Sequence, residues 1–215
     1  MSTLLVILSH PHTTDFSYSL ATADKFIASY KLANPNDTII IRDLFDEENP
    51  VPALSNEVFS AWTKQKFTTE ALTAVETKLL EAHTEFLDEF LVADKYVFVN
   101  PMYNHFLPAE LKQYIDVTAV ARKTFRYTEN GPEGLLKGKK ALHIQAAGGY
   151  YHDENGMPLA NSHDFGSAYL QATMRLYGLG TPESLYVEGY ARYPERAEEI
   201  KAATFAKAEA LGKTF

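Results

Sequence analysis

The stretch YVFVNPMYNHFLPAELKQYID, residues 96–116, runs from an unbroken apolar segment through a polar, proline-bounded strip into a helical pattern. Tyr96 to Val99 shows no alternation, as expected of a strand covered on both faces. Asn100-Pro101 ends that strand, and Pro108 suits the first turn of a helix over roughly 108–121. Met102 to Leu107 is then a loop at the strand's carboxyl end. A two-face-buried strand handed directly to a helix is the repeating unit of a parallel sheet.

The same grammar recurs on either side. Leu4 to Leu8, Thr38 to Ile41, Ala141 to Ile144 and Leu185 to Val187 read as four more short strands. Leu20, Ala23, Ile27 and Tyr30 recur at helical spacing, and helical patterns cover roughly 69–92, 164–178 and 194–211. DLFDEENPVP, residues 43–52, is acidic and broken by proline, so it reads as a loop. Strand and helix alternate throughout, with no repeat or linker. The expectation is one α/β domain over residues 1–215, a doubly wound, five-stranded parallel sheet with helices on both faces.

Composition narrows the chemistry. Twenty Lys plus Arg stand against 28 Asp plus Glu, a formal net charge of −8, which argues against nucleic-acid binding through a basic surface. The absence of cysteine excludes disulfides, thiolate metal sites and a cysteine nucleophile. His10 and His12 lie two apart in a loop and His152-Asp153 stands alone, so no metal site is expected. The apolar start LLVIL lacks the basic flank of a signal peptide, and no apolar stretch approaches about 18 residues, the length of a membrane span. The expected location is the cytoplasm.

Three loops fall at the carboxyl edge, where open α/β sheets bind ligands. The first, SHPHTTDFSYS (9–19), holds five Ser and Thr hydroxyls (Ser9, Thr13, Thr14, Ser17 and Ser19) and no Lys or Arg. It reads equally as an ordinary helix start capped by Asp15 or Ser17, or as a phosphate cradle of hydroxyls and free N–H groups. The second is the Met102 to Leu107 strip, whose amides and aromatic side chains suit the edge of a flat heteroaromatic ring. The third follows HIQAA (143–147), where Gly148-Gly149 permits close backbone approach. A ligand with a phosphate tail and a flat ring, such as FMN, would use all three.

Beyond these local readings, the chain resembles the FMN-dependent NADH azoreductases of the flavodoxin-like NAD(P)H:quinone reductase group. The resemblance rests on PMYNHFLPAELKQYID (101–116), KTFRYTENGPEGLLKGKKALHI (123–144), the double glycine, VEGYARYPE (187–195) and the pair of serines in Ser17-Tyr18-Ser19. It runs from end to end. It implies a flavodoxin-like strand order 2-1-3-4-5, with FMN at the switch point between the first and third strands.

The resemblance also implies roles. His10, Ser17, Tyr18 and Ser19 would hold the FMN phosphate. Met102, Tyr103, Asn104 and His105 would follow the ring edge, and Gly148 and Gly149 would approach its pyrimidine end. Ala146-Ala147 stand where some members carry Ser-Arg, so only backbone contacts are implied there. Phe125, Tyr127, Tyr150, Tyr151 and Phe165 are candidates for the substrate face, each weighed against plain core packing or a subunit contact. The implied activity is a two-step ping-pong transfer of hydride from NADH or NADPH, through the flavin, to a quinone or azo compound. A homodimer with its active sites at the interface is also implied. The alternative is a flavodoxin-type electron carrier with no nucleotide oxidase activity. The long helical segment 55–92 and the Thr124 to Leu136 insertion count against it.

Overall fold

The computed structural model describes residues 1–215. Its central sheet contains β1 (Thr3–Leu8), β2 (Thr38–Asp43), β3 (Lys95–Pro101), β6 (Lys140–Ala147) and β7 (Glu183–Glu188). All are parallel, in the order β2-β1-β3-β6-β7. Counted among these five alone, the order is the expected 2-1-3-4-5. The remaining strands, β4 (Phe125–Thr128) and β5 (Gly131–Gly134), form a separate antiparallel hairpin inside the Thr124 to Leu136 insertion.

Alternation along the strands decides which helices cover which face. Leu4, Val6, Val97, Val99, Leu142, Ile144 and Leu185 point to one side, against α1 (Tyr18–Ala33) and α6 (Ala197–Thr214). Leu5, Ile7, Tyr96, Phe98 and Ala141 point to the other. There they meet α3 (Ala74–Val92), α4 (Ala109–Thr118) and α5 (Phe165–Tyr177). Burial of both layers is the main stabilising term, since side chains such as Phe26, Tyr30, Phe90, Phe98 and Tyr177 are fully buried.

Two expectations on this second face need correction. The segment 55–92 is two helices: α2 (Asn56–Phe67), capped by Ser55, and α3, which starts at Ala74 and not at about 69. The start of α3 is set by a capping box, in which Thr73 Oγ1 accepts from Glu76 N and Glu76 Oε2 accepts from Thr73 N. Toward the carboxyl ends of β3, β6 and β7 the apolar layer gives way to Asn100, His143, Gln145, Tyr186 and Glu188, most of them buried. This polar patch lies at the end of the sheet that carries the candidate site. No helix is long and apolar enough to cross a membrane.

Candidate functional site

The turn after β1 is built around Ser17. Its backbone is extended and its Oγ accepts from Leu20 N at 3.2 Å, which makes it the N-cap of α1. The two readings of this loop are therefore compatible. Ser17 Oγ also lies 3.1 Å from Ser19 Oγ. As the first helical residues, Tyr18 and Ser19 have amide N–H groups with no intrahelical acceptor, and they meet no other backbone carbonyl. Ser9 is fully buried and its hydroxyl has no partner.

His10 completes the turn. Its Nδ1 accepts from His12 N at 3.0 Å, which leaves the proton of the neutral ring on Nε2. Burial, with a smaller contribution from His12, holds its pKa below the usual histidine value. The turn thus offers neutral donors and a helix N-terminus, which is the chemistry of a phosphate site that works without a basic side chain. Ser9 lay within the hydroxyl-rich turn but was given no role of its own; its place directly after β1 is the signal that marks it.

The ring-edge strip is a two-residue reverse turn. Tyr103 N donates to Phe106 O and Phe106 N donates to Tyr103 O, each at 2.9 Å. Between them Asn104 (φ 51°) and His105 (φ 66°) are both left-handed. This is the geometry of a type I′ hairpin turn, in which asparagine is favoured and a second non-glycine residue is strained. The strip is irregular because β3 must reverse within a few residues of its end. Met102 N donates to Ala146 O, so the loop starts in register with β6. Tyr103, Asn104 and His105 are exposed and Met102 is half-buried.

At the double glycine it is packing, not a left-handed backbone, that calls for the missing side chain. Neither Gly148 nor Gly149 has positive φ. What excludes a side chain at Gly148 is packing, since a Cβ there would lie 2.9 Å from Ala191 Cβ. Ala191 belongs to the turn after β7, whose Ala191 N and Arg192 N both donate to Gly148 O. The residue of that turn in a left-handed conformation is Gly189, at φ 87°.

Four turns therefore meet at one edge. Tyr18 stacks on Tyr190, joining the turns after β1 and β7. Gly148 joins the turns after β7 and β6. His105 and Tyr151, with ring centroids 5.8 Å apart, join those after β3 and β6. Ser9 N donates to Val99 O, joining the ends of β1 and β3. Tyr190 was missed as a site residue; it is an aromatic side chain just past the last strand of the edge. Burial, then the neighbouring Tyr18 and Tyr103, pushes its pKa up.

The substrate-face candidates separate. Tyr127 and Phe165 are 77% and 59% exposed, Tyr150 is exposed and Tyr151 half-buried. Phe125 is a correction: at the base of the β4–β5 hairpin it is packed in the core with Leu136 and Tyr177, whereas Tyr127, on the same face of β4 but nearer the hairpin tip, is exposed. His152 is not isolated either. It is buried between Glu188 and Asp164, residues too distant in sequence for their spacing to reveal it.

Comparison with known proteins agrees with this architecture. A family model described as flavodoxin-like fold matches residues 2–211. The chain is 59% identical over 217 residues to the FMN-dependent NADH:quinone oxidoreductase 1 of Lactococcus lactis, covering 100% of both chains. It is 51% identical over 215 residues to the FMN-dependent NADH:quinone oxidoreductase 2 of Lactiplantibacillus plantarum, again covering 100% of both. Among solved structures, an FMN-dependent NADH-azoreductase from Bacillus anthracis in complex with FMN superposes with a TM-score of 0.85 at 33% identity, covering 99% of this chain and 100% of that one.

Proposed function

The chain belongs to the FMN-dependent NADH:quinone oxidoreductases, flavoenzymes of flavodoxin-like fold, and from that premise we propose that it reduces quinones and azo compounds in two half-reactions. NADH is the donor, and NADPH is proposed as a second one. The nicotinamide would leave before the acceptor enters the same place. The observation that carries this reading is the meeting of a neutral phosphate cradle, a reverse turn and a double glycine beside the β1/β3 switch point.

The residues present fit FMN. The hydroxyls of Ser17 and Ser19, the amides of Tyr18 and Ser19, the unpartnered Ser9 Oγ and the Nε2–H of His10 are donors suited to a phosphate. Met102, Tyr103, Asn104 and His105 would present backbone and side-chain groups to the ring edge. The backbone of Ala146, Ala147, Gly148 and Gly149 would face its pyrimidine end. When bound, FMN supplies the acceptance and return of hydride. The protein's part is to orient the ring, hold the phosphate and leave one ring face open for the two substrates in turn. Tyr127, Tyr150, Tyr151 and Phe165 are the aromatic side chains available to shape that face.

We further propose a homodimer with its active sites at the interface, and a cytoplasmic location. Exposed Tyr127 and Phe165 are the kind of side chains a second copy would cover. Dilution should then abolish turnover before it unfolds the chain; a fully active monomer by sedimentation rejects the shared site.

The decisive experiment is anaerobic addition of NADH to the FMN-loaded protein. The flavin absorbance should bleach, and steady-state rates against quinone at several NADH concentrations should give parallel double-reciprocal lines. Intersecting lines reject the ping-pong order. Flavin that stays coloured would favour an electron carrier instead, a reading that the comparisons disfavour.

A further inference from the structure

Beneath the cofactor edge, the α5 side of the sheet carries a continuous chain of buried polar groups. His143 Nε2 lies 2.9 Å from Asn100 Oδ1, and Asn100 Nδ2 donates to Gln145 Oε1 at 3.3 Å. Gln145 Nε2 donates to Asp164 Oδ2, and Asp164 Oδ1 caps α5 by accepting from Ser167 N at 2.8 Å. Asp164 Oδ2 is 3.8 Å from His152 Nε2. The other nitrogen of that ring, Nδ1, is 2.8 Å from Glu188 Oε1. Glu188 Oε2 accepts from Tyr151 N at 2.8 Å and from His152 N at 3.0 Å. The His152 ring lies flat on Tyr186, 3.7 Å between centroids.

His152, Asp164 and Glu188 bring their ligand-type atoms within 4.8 Å of one another. The two carboxylates, however, face opposite nitrogens of one imidazole, and both already accept N–H groups. That is the arrangement of a histidine hydrogen-bonded to Glu188 and in charge contact with Asp164, not of ligands converging on one ion. Its ends are informative. Glu188 holds the backbone of residues 151 and 152, one residue past the double glycine. Asp164 caps the helix whose first amides, Phe165 N and Gly166 N, donate to His105 O of the reverse turn at 3.0 and 3.3 Å. Two walls of the candidate ring site thus hang from one buried unit.

We propose that Glu188, acting through His152 and the amides of Tyr151 and His152, is the positioning residue for the ring end of the flavin site. A carboxylate at this place orders the path of residues 148–151, and the His152–Asp164 contact locks that path to the turn at His105. Burying two carboxylates is costly unless their hydrogen bonds are made, and here Gln145 and Ser167 N serve Asp164 while His152 and the amides of residues 151 and 152 serve Glu188, so the unit favours one geometry and passes it to both turns. The proposal rests on the reading of this edge as a flavin site.

The test compares FMN with riboflavin, which has the same ring and no phosphate. Binding to the apoprotein is measured by quenching of flavin fluorescence, below the unfolding temperature of each variant. Glu188→Ala should weaken both flavins by the same factor, at least about tenfold. Glu188→Gln, which keeps the length and an acceptor oxygen for the two amides, should recover most of the loss. Glu188→Asp keeps the charge but withdraws it from the amides, and should behave like Glu188→Ala; it carries the test if Glu188→Ala does not fold. The Ser17→Ala/Ser19→Ala variant should instead weaken FMN more than riboflavin. Wild-type riboflavin affinity in Glu188→Asp, or a loss confined to FMN, overturns the proposal while leaving the flavin site standing. A wild-type chain that binds neither flavin overturns the site reading and the proposal with it.

Discussion

Tyr18 and Tyr190 stack with their ring centroids 4.1 Å apart and their planes 15° from parallel. Tyr18 is the first residue of α1 and Tyr190 belongs to the turn after the edge strand β7. The stack pins the amide end of α1 against the far side of the sheet edge. A face-to-face aromatic pair of this kind is worth about 0.5–1.5 kcal/mol. Tyr190→Ala should therefore weaken FMN roughly three- to tenfold and riboflavin less, because the stack orders the phosphate end. Tyr190→Phe should restore the affinity. Equal losses for the two flavins would place Tyr190 at the ring and not at the phosphate.

The reverse turn gives a second prediction. Asn104 and His105 sit at φ 51° and 66°, and a left-handed non-glycine residue costs about 1–2 kcal/mol. His105→Gly should remove part of that strain and raise stability by about 0.5–1 kcal/mol in urea unfolding, with flavin content unchanged, since the turn would face the ring through its backbone. His105→Val should open the turn and cost both stability and flavin, because a β-branched residue resists positive φ. Full flavin content in a folded His105→Val protein would show that the backbone of this turn does not hold the ring.

Much of this was legible in the sequence. Unbroken apolar runs such as Tyr96 to Val99 reveal two-face burial and, with the alternation of strands and helices, a parallel sheet; the strand order rests on the family resemblance, because alternation alone does not set it. The turn after β1 was legible as a helix start because hydroxyl residues cluster where a strand passes into a helix, and Ser17 is its N-cap. The α2–α3 break was less so: a helical pattern gives period but not ends, and only the Thr73–Glu76 capping box fixes the start of α3. The β4–β5 hairpin was hidden because its second strand, Gly131–Gly134, has almost no strand propensity. Phe125 and Tyr127 could not be told apart by residue type or by alternation, since they share a face of β4; their place along the hairpin, base against tip, decides which one is buried. The His152–Glu188 contact was beyond reach, since Glu188 stands 36 residues away and meets His152 only when β6 and β7 pair.

Gly148 supports a third prediction. A side chain there would collide with Ala191, whose Cβ is 2.9 Å from the position of a Cβ on residue 148. Gly148→Val should push the turn after β7 away and yield folded protein depleted of flavin, with affinity lower by at least about tenfold. Adding Ala191→Gly should return part of the binding by making room. A single Gly148→Val variant with full flavin content would reduce the double glycine to an ordinary turn. Failure of the second change to rescue would show that the obstruction is to the flavin itself and not to residue 191.

The last prediction concerns acid. His143 is fully buried, with Nε2 on Asn100 and Nδ1 without a partner. Burial above all, then the nearby His152, lowers its pKa from 6.5 to about 3. In the unfolded chain the ring takes a proton below its ordinary value of 6.5; in the folded chain it does not until about pH 3. Between those limits the unfolded state binds one proton more, so stability rises with pH across the window and is lost as the pH falls. The slope from this one group is about 1.4 kcal/mol per pH unit. His143→Gln removes the titration while its amide can still donate to Asn100 Oδ1. Urea unfolding from about pH 7 down to about pH 4.5 should therefore show the wild type losing stability more steeply than the variant, by close to that slope once well below the ordinary histidine value. Parallel curves would mean that the folded chain accepts the proton at His143 without penalty, and that the buried polar chain beneath this sheet edge is wetter than its burial implies.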